Sequence, residues 1–386
     1  MKNFLVLSSL ALICALLTSP VHAETIELPG DGNPASLCIP GVYLDIEVDC
    51  QLLGPAEFFT EIASIEAQIE SQPDRYIHIT EGYGNSEYSY FQVYPETGAI
   101  FYDLNTAIAN TAAVDMLPEG YTFAAYTSTT EVDGRKYFQL RDGNWMRASA
   151  VYHYAAPNMF TGVQPVEQPT HKFGWILKED TPTVSAPSYF APLTGNKIPR
   201  YTLVEVFEER RVGLSDWYMI APDEWIYMTQ AALVYPAEQP PEGVRNGRWI
   251  EINIFEQTLS VYEDNQMIFA TLITSGSSRN YTRPGLFKIY EKLEATTMAG
   301  DQDNENGGYY LMDVPWSMYF DERRALHAEY WHDHLGYKSS HGCVNMSFPD
   351  SDWLYQWAQY GDWVYAWDPS GQTPEDPKLF TQHTDN

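Results

Sequence analysis

Four of the nine histidines in this 386-residue chain fall within a short stretch, at His327, His332, His334 and His341, and Cys343 follows two positions after the last. The local sequence reads Ser340-His341-Gly342-Cys343-Val344-Asn345. A thiol with an ordinary pKa of about 8.5 is mostly protonated at neutral pH, so a cysteine nucleophile needs a partner that lowers that value or removes the proton. Histidine does both. A glycine directly before the cysteine lets backbone approach a substrate carbonyl, where main-chain N–H groups can hold an oxyanion. Zinc is the competing chemistry, since His and Cys are also its ligands. The stretch has no second thiol and no His-Glu pair at metalloprotease spacing, so no metal and no other cofactor is expected. A buried, inert cysteine would explain the thiol but not the Ser340, His341 and Gly342 crowded around it.

The remaining cysteines set Cys343 apart. Cys14 lies in the apolar run from Phe4 to Leu17, behind Met1-Lys2-Asn3 and ahead of Val21-His22-Ala23. That pattern predicts a signal peptide over residues 1–23, cleaved after Ala23, and hence export to the periplasm, cell wall or exterior. The run is short for a membrane anchor, and Ile13 is bulky where a lipidation signal wants a small residue. Cys38 and Cys50 are close in a Gly/Pro-rich region and are expected to form a disulfide in an oxidising compartment. Cys343 is then the unpaired thiol. The formal charge of -30 becomes -31 once Lys2 leaves with the signal. So acidic a chain argues against nucleic acid or anionic lipid as partner.

A chain of this length exceeds one hydrophobic core, so several domains must position these residues. Residues 24–80 are expected to hold the disulfide loop and a helix, because Ile62, Ile65 and Ile69 recur at helical spacing up to about Ser71. Short alternating strands follow. The stretch from Tyr121 to Val151, with turns at Asp133-Gly134 and Asp142-Gly143-Asn144-Trp145, resembles a bacterial Src-homology-3-like barrel. A similar ending recurs at Pro222-Asp223-Glu224-Trp225-Ile226, running to Val234, and predicts two related small barrels over 81–162 and 171–236. Proline-rich segments at 163–169 and 236–243 read as extended, semi-rigid spacers. A third domain is expected over 245–368, opening as a β-meander through Trp249–Phe255, Leu259–Tyr262 and Met267–Ile273, with a tail over 369–386. The expected fold is mainly β: two small barrels, then a β-sandwich with short helices. Tyr and Trp are plentiful and could let the barrels contact glycan or peptide, although most should be core.

The motif Ser340-His341-Gly342-Cys343-Val344-Asn345, preceded by His327 with twelve residues between them, resembles the signature of the YkuD-like L,D-transpeptidases of bacterial cell walls. The resemblance runs over roughly Trp249 to Trp367. Thr282-Arg283-Pro284-Gly285-Leu286-Phe287 is similar to the turn and strand before the family's active site. Asp352-Trp353-Leu354-Tyr355 and Gly361-Asp362-Trp363-Val364 are similar to its closing helix and strand. Asn345 stands where many members have arginine. The resemblance implies that Cys343 is the nucleophile and His327 the general base, with the Ala328 carbonyl orienting the imidazole. It implies that Gly342 and Cys343 offer oxyanion N–H groups, and that Ser340, His341 and Asn345 shape the pocket. Trp331 and His332 could line that pocket too, His332 being the alternative base. A lid is implied somewhere between Glu291 and Phe320, where Gly300 and Gly307-Gly308 flank an acidic run. The implied substrate is a peptidoglycan stem peptide, cut after its third residue through a thioester and resolved by an amine. Resolution by water would make the chain an L,D-carboxypeptidase or endopeptidase, and a non-catalytic cell-wall-binding protein is the remaining alternative.

Overall fold

The computed structural model describes residues 75–79, 82–277, 279–300 and 308–381, together with two short strands, Ser36–Leu37 and Cys50–Gln51, that pair in parallel. The chain divides into two compact units, Met1–Leu52 and Leu53–Asn386, and those two strands are the described part of the first. The expected leader, Cys38 and the expected helix up to Ser71 lie outside the described residues, and of Cys50 only the strand backbone is described. Among the described residues no helix is long and apolar enough to cross a membrane.

In the second unit, residues 249–367 contain nine strands and one helix. They are β1 Trp249–Asn253, β2 Thr258–Glu263, β3 Gln266–Leu272, β4 Gly285–Lys288, β5 Glu291–Ala299, β6 Tyr309–Asp321, β7 Arg324–Ala328, β8 Val344–Met346, α1 Phe348–Trp357 and β9 Trp363–Trp367. One sheet runs β4-β9-β1-β2-β3, with β1 and β9 parallel and the other neighbours antiparallel. A second sheet holds the β5–β6 hairpin, β7 antiparallel to β6, and β8 parallel to β7. Ile250, Ile252, Leu259, Val261 and Phe269 from the first sheet share one core with Met318, Leu326, Val344 and Met346 from the second and Trp353 and Leu354 of α1. This is the mainly β arrangement that the alternating sequence predicts.

Every residue of β1 is buried, because both its faces are covered. Ile250 and Ile252 point into the core between the sheets, while Trp249 faces outward and stacks on Tyr262, ring centroids 4.1 Å apart and nearly coplanar. The outer cover comes from the segment expected to be the second barrel: Phe173, Trp175, Ala232 and Val234 join Trp249, Tyr262 and Met267 in a second core.

The two expected barrels share one strand order. In the first copy Ser89–Val93 pairs with Tyr121–Tyr126 and Val151–Tyr154, beside a five-stranded sheet formed between residues 99 and 147. In the second, Phe173–Ile176 pairs with Leu203–Glu205 and Ala231–Val234, beside a five-stranded sheet formed between residues 181 and 227. The repeat is therefore structural, and in each copy the tryptophan after the turn, Trp145 or Trp225, enters the penultimate strand before a 3-10 turn. Neither copy closes into a barrel among the described residues. The first copy instead joins its three-stranded sheet to the second of the sheets above: Tyr121–Phe123 pairs in parallel with Tyr309–Leu311 of β6.

The segment 163–169 is not a free spacer. Val163–Pro165 is extended, as its prolines suggest, but it pairs with β3 and with Tyr76–His78 and lengthens the first sheet to seven strands. Gln168 continues the register with its side chain, accepting from Met267 N–H at 2.8 Å and donating to Met267 O at 3.0 Å. Its amide thus mimics a further peptide unit, and burial of Val163 on Ala270 holds the segment down.

Candidate active site

Cys343 sits in a tight loop between Ser340 and β8, held by short bonds on every side. The Ser340 hydroxyl donates to Cys343 O at 2.5 Å and accepts from Gly342 N–H at 3.0 Å. The Thr282 hydroxyl donates to Gly342 O at 2.9 Å, and Thr282 Oγ1 accepts from Gly276 N–H at 3.0 Å. Ser340 N–H donates to Ser275 O at 3.0 Å, tying the loop to the end of the first sheet. Gly342 has φ +113°, and a Cβ there would lie 2.9 Å from Arg324 Nε. Only glycine meets both demands. Arg324 is itself fixed, donating to Tyr281 O at 3.2 Å and pairing with Asp321, which also receives Arg283.

His327 is on β7 directly beside Asn345 of β8, and it is buried. Its Nδ1 lies 2.9 Å from Ala328 O, so that nitrogen carries the proton and Nε2 is left as the acceptor. Burial holds the imidazole down, to a pKa of about 4. Burial also raises the Cys343 thiol, with a partial offset from the Ala325 backbone and the Arg324 guanidinium. Both groups are therefore neutral at neutral pH. The thiol donates to Arg323 O at 3.7 Å, and thiol and imidazole form no hydrogen bond with each other.

These two side chains line one cleft of about 260 Å³ with Ser340, His341, Trp331, His332 and Asn345. The structure thus brings all the singled-out side chains of this stretch together. Ala328 contributes its carbonyl from behind. The Gly342 N–H is taken by Ser340 Oγ, which makes that amide a support of the loop. Asn345 is 1% exposed and exchanges backbone hydrogen bonds with Thr274, at 2.9 and 2.8 Å, so it knits the sheets together at the cleft floor. Among the described residues no group of three or more His, Cys, Asp or Glu could hold a metal ion.

Several cleft residues were not singled out from sequence. Met298, Tyr309 and Leu311 of the β5–β6 hairpin form one wall, and Tyr121 of the first repeat reaches the same cleft. Tyr121 donates its hydroxyl to Trp331 O at 3.0 Å. No local pattern links position 121 to a motif about 200 residues away. Glu329, fully buried and 3.3 Å from His332, was also missed.

Residues 247–365 match the family model of the YkuD L,D-transpeptidase catalytic domain. Over 120 residues the chain is 28% identical to YciB of Bacillus subtilis, a protein named as a provisional L,D-transpeptidase, and the match covers 28% of this chain and 59% of that one. Among solved structures, an L,D-transpeptidase of Stackebrandtia nassauensis is 26% identical, covering 36% of this chain and 62% of that one with a TM-score of 0.28. The catalytic domain of the E. faecium L,D-transpeptidase is 27% identical, covering 32% of this chain and 100% of that domain, again with a TM-score of 0.28. The chain spans about three fifths of the length of YciB and of the Stackebrandtia protein. The cleft described above is lined from this matched segment and by Tyr121, which lies outside it.

Proposed function

We propose that this chain is an exported L,D-transpeptidase that acts on peptidoglycan stem peptides through an acyl-enzyme on Cys343. The observation that carries this reading is the meeting of Cys343 and a buried, neutral His327 on one cleft inside the segment matched to that family. Neutral His327 accepts the thiol proton through Nε2 once Cys343 turns from Arg323. The thiolate attacks the carbonyl of the third stem residue, and the oxyanion takes the Cys343 N–H as donor. Collapse breaks the C–N bond, the imidazolium gives its proton to the departing D-amino acid, and a thioester remains. An amine of a neighbouring stem resolves it into a crosslink.

The repeated strand segments extend and cover the two catalytic sheets, which supports a role in building the cleft more than one as free wall-binding arms. Their sequence likeness to Src-homology-3-like modules and the Cys38–Cys50 disulfide belong to the same proposal.

The test is product analysis. Incubation with a tetrapeptide stem carrying an amine should release the terminal D-amino acid and give a crosslinked dimer, and a stem ending in a D,D-linked pentapeptide should not react. Release without dimer, even at high amine concentration, would make the enzyme a hydrolase.

A further inference from the structure

His332 has no part in the acylation step, yet each of its ring nitrogens faces a polar side chain. Its Nδ1 lies 3.3 Å from Oε1 of Glu329, its Nε2 3.3 Å from Ser339 Oγ, and its ring stacks on His334 with centroids 4.9 Å apart. Glu329 is fully buried, and neither of its carboxylate oxygens completes a hydrogen bond among the described residues. A buried carboxylate left so is costly unless a cation comes beside it. Burial pushes its carboxyl up, and His332 and the Asn345 side chain pull it back toward the charged form. The other titratable groups acting on this pair are His327, His334 and Tyr121. Asp333, the next residue, turns instead to Arg200 and Tyr201.

We infer that His332, held in place by Glu329, is a second acid–base group of the cleft that takes a proton from the incoming acceptor, whose class is a primary amine arriving as its ammonium. The inference rests on the transferase reading above. His327 is ill suited to that task, because its burial makes it a weak base with a pKa of about 4. An imidazolium at position 332 would instead face the carboxylate it now approaches, and 16% of its side chain remains open to solvent. The Ser339 hydroxyl occupies the direction from which the amine nitrogen would reach Nε2.

The step balances as follows. The ammonium gives one proton to His332 Nε2, leaving a free amine and an imidazolium opposite Glu329. The amine attacks the thioester carbonyl, the C–N bond forms, and the C–S bond breaks. The remaining excess N–H proton passes to His327 and from there to the departing thiolate of Cys343. The enzyme ends with neutral thiol and neutral His327, and His332 returns its proton to solvent. Cys343 and His327 are catalytic throughout, and Glu329 is a positioning residue.

The experiment compares two acceptors on the full chain, with a tetrapeptide stem as donor and products read by mass spectrometry. One acceptor is an alkyl primary amine, protonated at neutral pH; the other is hydroxylamine, already unprotonated there. For His332→Gln, transfer to the alkyl amine at pH 7 should fall about 100-fold, the size of a lost acid–base group. Hydroxamate formation should fall far less, and the gap between acceptors should close as pH rises toward the amine's own pKa. Glu329→Gln should move the same ratio in the same direction, and hydroxamate formation by either variant shows its site is folded and acylates. Equal losses with both acceptors, or undiminished transfer to the alkyl amine, overturn the inference while leaving the transpeptidase reading intact. A wild-type protein that forms neither product overturns both.

Discussion

At the scale of the residue, the site is a neutral pair held apart. Burial depresses His327 and raises Cys343, which favours a neutral thiol beside a neutral imidazole. Alkylation of Cys343 by iodoacetamide should therefore accelerate steadily as pH rises through the neutral range, with no plateau at low pH of the kind a thiolate–imidazolium pair gives. A pH-independent rate between pH 5 and 7 would show that the pair is ionised. Replacing His327 with Ala should lower turnover about 100-fold to 10,000-fold, because both proton transfers of acylation pass through it. On the acid side the activity due to His327 should persist to near its pKa of about 4, where protonation removes the base. That Cys343 and His327 line one cleft was legible from the motif, whose residue types stand at short spacing. The engagement of the Gly342 N–H by Ser340 was not, because both oxyanion donation and loop support call for the same glycine.

At the scale of the element, the cleft wall depends on a strand from far away in sequence. Tyr121–Phe123 pairs with the end of β6, and Phe123 packs with Leu311, Ala328 and Tyr330 in one cluster. The hairpin implied to act as a lid is thus anchored by the first repeat on its β6 side. Tyr121→Ala removes both the hydroxyl that holds Trp331 O and one side of the cleft. It should raise KM for the stem peptide more than it lowers kcat, which steady-state kinetics can separate; a loss confined to kcat would place Tyr121 in the chemistry instead. The strands of the meander were readable from alternation, and the helix after Cys343 from the resemblance carried by Asp352-Trp353-Leu354-Tyr355; its start is set by Ser347, whose Oγ accepts from Asp350 N–H. The parallel pairing of residue 121 with 309 was not readable, since no turn or spacer length records a contact between such distant strands. For the same reason 163–169 reads as a linker: proline density reports extension, and pairing is decided by the β3 edge that awaits it.

At the scale of the whole molecule, burial of acids sets the response to pH. Burial raises Glu251 and Asp350 to pKa values of about 7. The stability they contribute is full below the ordinary carboxylate range and is lost as pH rises through 7. His327 acts in the opposite sense, losing its contribution as pH falls from the ordinary imidazole value toward 4. Two carboxyls outweigh one imidazole, and acidification also eases the repulsion within a chain of net charge -30. The melting temperature should rise as pH is lowered from 8 to 6. A fall across that interval contradicts it. The repeat was legible because each copy ends on the same turn-tryptophan-strand sequence. Its failure to close was not, because closure depends on what each sheet meets: β6 for the first copy and the outer face of β1 and β2 for the second.

The central claim is that Cys343 forms an acyl-enzyme with the help of His327, and intact-mass measurement tests it most directly. A carbapenem, whose strained amide imitates the acylation step, or a tetrapeptide stem should add one acyl group to the wild-type chain. The adduct should be absent from Cys343→Ala, should form far more slowly in His327→Ala, and should map to the peptide containing Cys343. A folded wild-type sample that gains no mass from either compound, or a Cys343→Ala sample that still gains it, contradicts the account.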